Sequence, residues 1–114
     1  INALESTEYA DARWRTYVND KLGTDYVPLF EALDSLLFLQ VPDLDAVLRW
    51  RLEQEHNLGE SAGEGADAIM SDEQVSRFIQ FYERLTRNNI EILPSKADAV
   101  IELGDDHQAI SLRF

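Results

Sequence analysis

Leu36-Leu37-Phe38-Leu39-Gln40-Val41-Pro42 is the stretch whose reading decides the fold. The run is apolar until Gln40, and Pro42 ends it. Strands of a parallel sheet are covered by helices on both faces and so read as nearly unbroken apolar runs. The expectation is a strand over 36–41 buried on both faces, with Leu37 and Leu39 out of water. Asp43 then caps a helix that carries Leu44, Val47, Leu48, Leu52, Glu55 and Leu58 on or near one side.

Upstream, Ser6 to Leu22 reads as a helix with Trp14, Tyr17, Val18 and Leu22 on one face. Ser6 or Thr7 would cap its start and Gly23 its end. Trp14 is read as a core residue, because it lies on that apolar stripe. A second helix, from about Asp25 to Leu33, has Pro28 in its first turn, where proline costs least. Downstream, Gly59 to Ala68 has no apolar period and is read as a mobile loop. Ser71 and Gln74 match a capping box, and Val75, Phe78, Ile79, Tyr82 and Leu85 form the stripe of the following helix. Ala97 to Leu103 reads as a strand, Gly104-Asp105-Asp106 as a turn, and Ile110, Leu112 and Phe114 as an alternating edge strand.

The 114 residues suit one domain. The net charge of -12 makes nucleic acid a poor partner, since phosphate backbones recruit clustered Lys and Arg. There is no cysteine, hence no disulfide framework and no thiolate metal site. No apolar run approaches the roughly 20 residues of a membrane span. No basic-then-apolar secretory segment opens the chain, so the expectation is a soluble, cytoplasmic protein with no membrane partner.

In so acidic a chain the basic residues matter by their placement. Arg77, Arg84 and Arg87 share roughly one helix face opposite the apolar stripe. Such a face can hold a phosphate or carboxylate bidentately. It can equally be ordinary salt bridging, with Glu73 four residues before Arg77 and Glu83 four before Arg87. Arg51 falls near the apolar side of its helix, where it needs a partner or a wet cleft. That partner is either Glu55 or a ligand phosphate. His56 and His107 are isolated, without metal-ligand spacing.

Several stretches, in order, resemble a family of P-loop kinases related to D-glycerate 3-kinase and, more distantly, to uridine kinase and phosphoribulokinase. They are Asn2-Ala3-Leu4-Glu5, Trp14-Arg15 with Val18-Asn19, Tyr26 with Leu29-Phe30, and Trp50-Arg51 with Gln54-Glu55. Met70-Ser71-Asp72-Glu73-Gln74-Val75, Phe78, Tyr82-Glu83-Arg84-Leu85-Thr86-Arg87, Leu93-Pro94 and Ala97-Asp98 continue the set. The stretch between Leu58 and Met70 departs from the family, which tends to be more basic there.

The resemblance implies an α/β fold, here the helix-rich C-terminal portion of a P-loop kinase, with about two parallel strands and a C-terminal hairpin strand. Residues 1–114 would be a single domain or fragment whose P-loop-bearing N-terminal part is absent. The start at Ile1, without a methionine, reads as trimmed. The intact enzyme would use ATP and Mg2+ to phosphorylate a hydroxyl of a glycerate-like metabolite, while this chain alone would bind no cofactor and be inactive. Arg49 and Arg51 would lie in a lid over ATP, and Arg84 and Arg87 would serve the substrate. No residue is assigned a catalytic or metal-binding role. The rival reading is a non-enzymatic acidic protein-interaction module. Either way, an exposed sheet edge would invite self-association.

Overall fold

Helix α1 (Ala3–Thr7) starts where Asn2 caps it: Asn2 Oδ1 accepts from the Glu5 backbone N–H, and the Glu5 side chain returns the contact. The computed structural model describes residues 1–61 and 69–114. The single helix expected from Ser6 to Leu22 is therefore two. Ser6 and Thr7 cap nothing, because their hydroxyls donate back to the Ala3 carbonyl at 2.9 and 2.8 Å. Ala12, with a left-handed φ of 60°, then turns the chain before α2 (Arg13–Gly23). Helix α3 (Val27–Glu31) is shorter than expected and has Pro28 in its first turn.

Strand β1 (Leu37–Gln40) pairs in parallel with β2 (Ala99–Leu103), which pairs antiparallel with β3 (Ala109–Arg113). The sheet order is β1-β2-β3. Between the parallel strands run α4 (Leu44–Ser61) and α5 (Asp72–Ile92), followed by a 3-10 turn at Leu93–Ser95. Asp43 caps α4 by accepting from the Ala46 N–H at 2.7 Å. Ser71 and Gln74 form the expected capping box at the start of α5. Gly59, Glu60 and Ser61, expected in a loop, are the last residues of α4. The rest of that expected loop, 62–68, lies outside the described residues.

The core is small. Leu4, Ala46, Val75 and Val100 are its buried apolar members. Side chains alternate along a strand, so Phe38 and Val100 share one face of the sheet while Leu37, Leu39 and Ile101 share the other. Val100 is buried, but Leu37 and Leu39 are 56% and 54% exposed. The expected burial on both faces is thus corrected: the described residues cover one face. Parallel pairing occurs, and two-sided coverage does not. Trp14, expected in the core, is 60% exposed and stacks on Tyr17 with ring centroids 5.4 Å apart. Neither α2 nor α3 buries a residue. The radius of gyration, 16.9 Å, exceeds the about 13 Å of a compact domain of this length.

Candidate functional site

The four arginines to which the resemblance gives a site role, Arg49, Arg51, Arg84 and Arg87, fall in two places. Arg49 and Arg51 lie on α4, one and a half to two turns past Asp43. Arg49 is half exposed and reaches Asp105 in the β2–β3 turn, Nη2 to Oδ1 at 2.6 Å. Its neighbour Trp50 donates from Nε1 to the Asp105 carbonyl at 3.0 Å. Asp105 also borders a cleft of about 340 Å³ with Gln40, Pro42, Glu102 and Ile110. This cleft opens at the carboxyl ends of β1 and β2, the end of a parallel sheet beyond which α/β proteins hold ligands.

Arg51 turns the other way. Its Nη2 meets Glu55 Oε1 and its Nη1 meets Gln54 Oε1, both at 2.5 Å. The guanidinium lies 5.6 Å from the centre of the Phe78 ring. Glu55 is only 3% exposed, and its second oxygen accepts the Met70 N–H at 3.0 Å. One carboxylate thus ties the middle of α4 to the segment leading into α5. Glu55 is one of the two partners that the sequence left open to Arg51. Arg51 Nε is buried without a hydrogen-bond partner among the described residues.

Arg84 and Arg87 line a cleft of about 300 Å³ together with Asn2, Glu5 and Glu83. It forms where α1 docks on α5. Asn2 Nδ2 donates to the Gln80 carbonyl at 2.8 Å and to Glu83 at 3.0 Å, while Gln80 accepts the Leu4 N–H at 2.9 Å. Arg87 Nε bonds Glu83 at 2.9 Å, the i,i+4 pair expected from sequence. Arg84 Nε stands 3.3 Å from Glu5. The Asn2 amide, and after it Arg87, hold the Glu83 carboxyl below the usual glutamate range against the opposing effect of burial. Among the described residues no hydrogen bond reaches the Nη nitrogens of Arg84 or Arg87, so both forks keep donors for a further anion. Arg77 is not part of this cleft. It pairs with Glu8 at 2.5 Å instead of Glu73 and lies over Phe81.

Sequence reasoning gave Asn2 and Glu5 no role, although both stood in the first stretch of resemblance. Asn2, three residues before Glu5 at a helix start, was a readable capping signal. Nothing local announced that its amide would bridge to Glu83, 81 positions away.

Among curated proteins, the chain is 39% identical over 87 residues to an uncharacterized kinase, mug58, of Schizosaccharomyces pombe. The chain is similar to a kinase. The match covers 71% of this chain and 30% of the relative, so the chain spans under a third of that kinase's length. No family model matches the chain. No solved structure matches it either. No helix among the described residues is long and apolar enough to cross a membrane.

Proposed function

We propose that this chain is the C-terminal portion of an ATP-dependent small-molecule kinase that phosphorylates a hydroxyl of a glycerate-like acid. The observation that carries the reading is the likeness to a protein named as a kinase, of which this chain spans 30%. The parallel β1–β2 pair with helices between its strands agrees with an α/β kinase core. So do the open radius of gyration and the uncovered Leu37–Leu39 face, which further polypeptide of the same enzyme would cover.

In this reaction the acceptor hydroxyl oxygen bonds to the terminal phosphorus of ATP, the bond from that phosphorus to the bridging oxygen breaks, ADP leaves with the electron pair of that bond, and the hydroxyl proton passes to solvent. The protein contributes chiefly position and charge. The 114 residues contain no Gly-Lys-Ser/Thr, so the loop that cradles phosphates belongs, in this reading, to another part of the polypeptide. Among the described residues no three His, Asp or Glu side chains are grouped to hold a cation, so no step is assigned to magnesium here.

Arg49 is the nucleotide-facing guanidinium, since it is half exposed beside the cleft at the strand ends and, among the described residues, held only by a surface carboxylate. Arg51 supports it from within, through Glu55. Arg84 and Arg87 take the acceptor's carboxylate with their unengaged Nη donors.

The test is ADP release by the complete enzyme with a panel of small hydroxy acids, glycerate first. Turnover that needs glycerate or a close analogue is expected. ATP consumption indifferent to every small hydroxyl compound, or none at all, overturns the proposal and favours the interaction-module reading.

A further inference from the structure

Trp14-Arg15 belongs to the stretches that resemble the kinase family, and neither arginine cleft described above uses it. A smaller cleft of about 70 Å³ lies between α1, α2 and α5, with Leu4, Val18, Phe81 and Leu85 among its walls. Glu5 and Arg84 line both this cleft and the one that holds Arg87, so the two adjoin. At the other end Tyr9 and Trp14 line both it and a shallow depression of about 730 Å³ that Tyr17 also borders. A continuous groove thus runs from a pair of arginines, over an apolar floor, to an aromatic platform.

Two features of this groove have no use within the chain. Arg15 is half-buried and donates from Nη1 to the Tyr9 carbonyl at 3.0 Å, but among the described residues it meets no carboxylate. In a chain with 22 acidic and 10 basic side chains, a guanidinium left without a carboxylate beside a cleft is placed for an anion from outside. Glu5, the acid of the groove, is taken up by Arg84 Nε and the Asn2 N–H. Trp14 is 60% exposed, and its ring is held at 19° to that of Tyr17. Stacking fixes the plane of the indole and leaves it uncovered, which suits it to receive another planar group.

We propose that this groove binds a hydroxy acid that carries an aromatic ring. The carboxylate sits at Arg84, the arginine common to both clefts, with Arg15 reaching it from α2. The ring lies over the apolar floor against Trp14 and Tyr9. Binding sites of this kind join apolar and aromatic walls to a few placed polar groups. That such an acid is the acceptor of phosphoryl transfer rests on the kinase reading; the fit of ring and carboxylate does not.

The test is calorimetry of the complete protein without nucleotide. The probes are glycerate and phenylglycerate, which is glycerate with a phenyl ring on its third carbon. Phenylglycerate is expected to bind about tenfold or more tighter than glycerate. Trp14→Ala is expected to bring phenylglycerate down to the affinity of glycerate. Arg15→Gln, which keeps a polar side chain without the charge, is expected to weaken both probes by about tenfold. Partial unfolding removes sites without altering preference, so a lost preference reports the platform itself. The measurement on the unsubstituted protein needs no variant to fold. Equal affinity for the two probes overturns the proposal, and so does no binding of either, as when other polypeptide of the complete protein fills the groove. A Trp14→Ala protein that keeps the preference, or an Arg15→Gln protein that keeps both affinities, overturns it as well. The kinase reading fails separately. Ring-selective binding without ADP release from Mg-ATP removes that reading and leaves the groove, whereas turnover of glycerate without ring preference does the reverse.

Discussion

Glu55→Ala removes the acceptor shared by Arg51 and the Met70 backbone. Two donors lose their partner at once: the Met70 N–H, now at 3.0 Å, and Arg51 Nη2, now at 2.5 Å. Glu55 is 3% exposed, so water cannot enter without moving α4 or α5. An unmet buried donor costs about 1–3 kcal/mol, and breaking a fully buried ion pair from one side costs about 3–5 kcal/mol. The Arg51 side chain is 28% exposed, so its guanidinium recovers part of that loss from solvent. The expected destabilisation is about 2–3 kcal/mol. Arg51→Ala leaves the carboxylate with the Met70 N–H alone and should cost about 2 kcal/mol, well above the about 0.5 kcal/mol of an exposed i,i+4 pair.

Urea unfolding of the two single variants and the double variant gives the coupling directly, expected at about 1–2 kcal/mol. Single losses under about 0.5 kcal/mol that simply add would show that the pair does not hold α4 to the start of α5. On the proposed kinase reading, the same variants in the complete protein separate support from chemistry. If Arg51 itself meets transferred phosphate, Arg51→Ala lowers turnover about a hundredfold or more. Glu55→Gln would then lower turnover far less at a comparable loss of stability. If Arg51 only supports, turnover in both variants should follow stability.

Isothermal calorimetry of the 114-residue chain with Mg-ATP should show no micromolar binding, because the sequence has no phosphate-cradling loop; a clear micromolar isotherm would place a nucleotide site within these residues. On the proposed kinase reading, Arg84→Ala and Arg87→Ala in the complete protein should each raise the acceptor KM at least tenfold with little change in the KM for ATP, and equal effects on both would remove the assignment of this cleft to the acceptor. The Glu83 carboxyl is held low, first by Asn2, so its stabilising contribution is complete above the ordinary glutamate pKa and is lost as pH falls through the lower folded value. Asn2→Ala should therefore flatten the acid limb of a melting-temperature profile, and an unaltered limb would refute the assignment. Ser71→Ala should cost about 1 kcal/mol in urea unfolding, and a cost near zero would mean that the capping box at α5 contributes nothing.

The start of α5, the cap at Asp43 and the β2–β3 hairpin were legible because their determinants are local. A side chain capping an N–H three residues away, or a Gly-Asp-Asp turn between alternating segments, needs no knowledge of the rest of the fold. The division of the first helix was less accessible. Asn2 and Ser6 are both acceptable caps, and the left-handed Ala12 has no sequence signature, since alanine has no special tolerance for that conformation.

By itself, the sequence determined the order of elements from α3 onward, the parallel pairing implied by a strand, intervening helices and a second strand, and the presence of arginines in an acidic chain. Tertiary structure alone decided which carboxylate Arg77 and Arg84 meet. Arg87 found its i,i+4 partner, but Arg77 passed over Glu73 for Glu8, 69 positions away, and Arg84 took Glu5. An i,i+4 pair is worth only about 0.3–0.5 kcal/mol, so the docking of α1 on α5 can redirect such a side chain at little cost. It also decided that Leu37 and Leu39 face outward. An apolar run fixes that a strand wants cover on both faces, while whether both faces receive it depends on what else packs there.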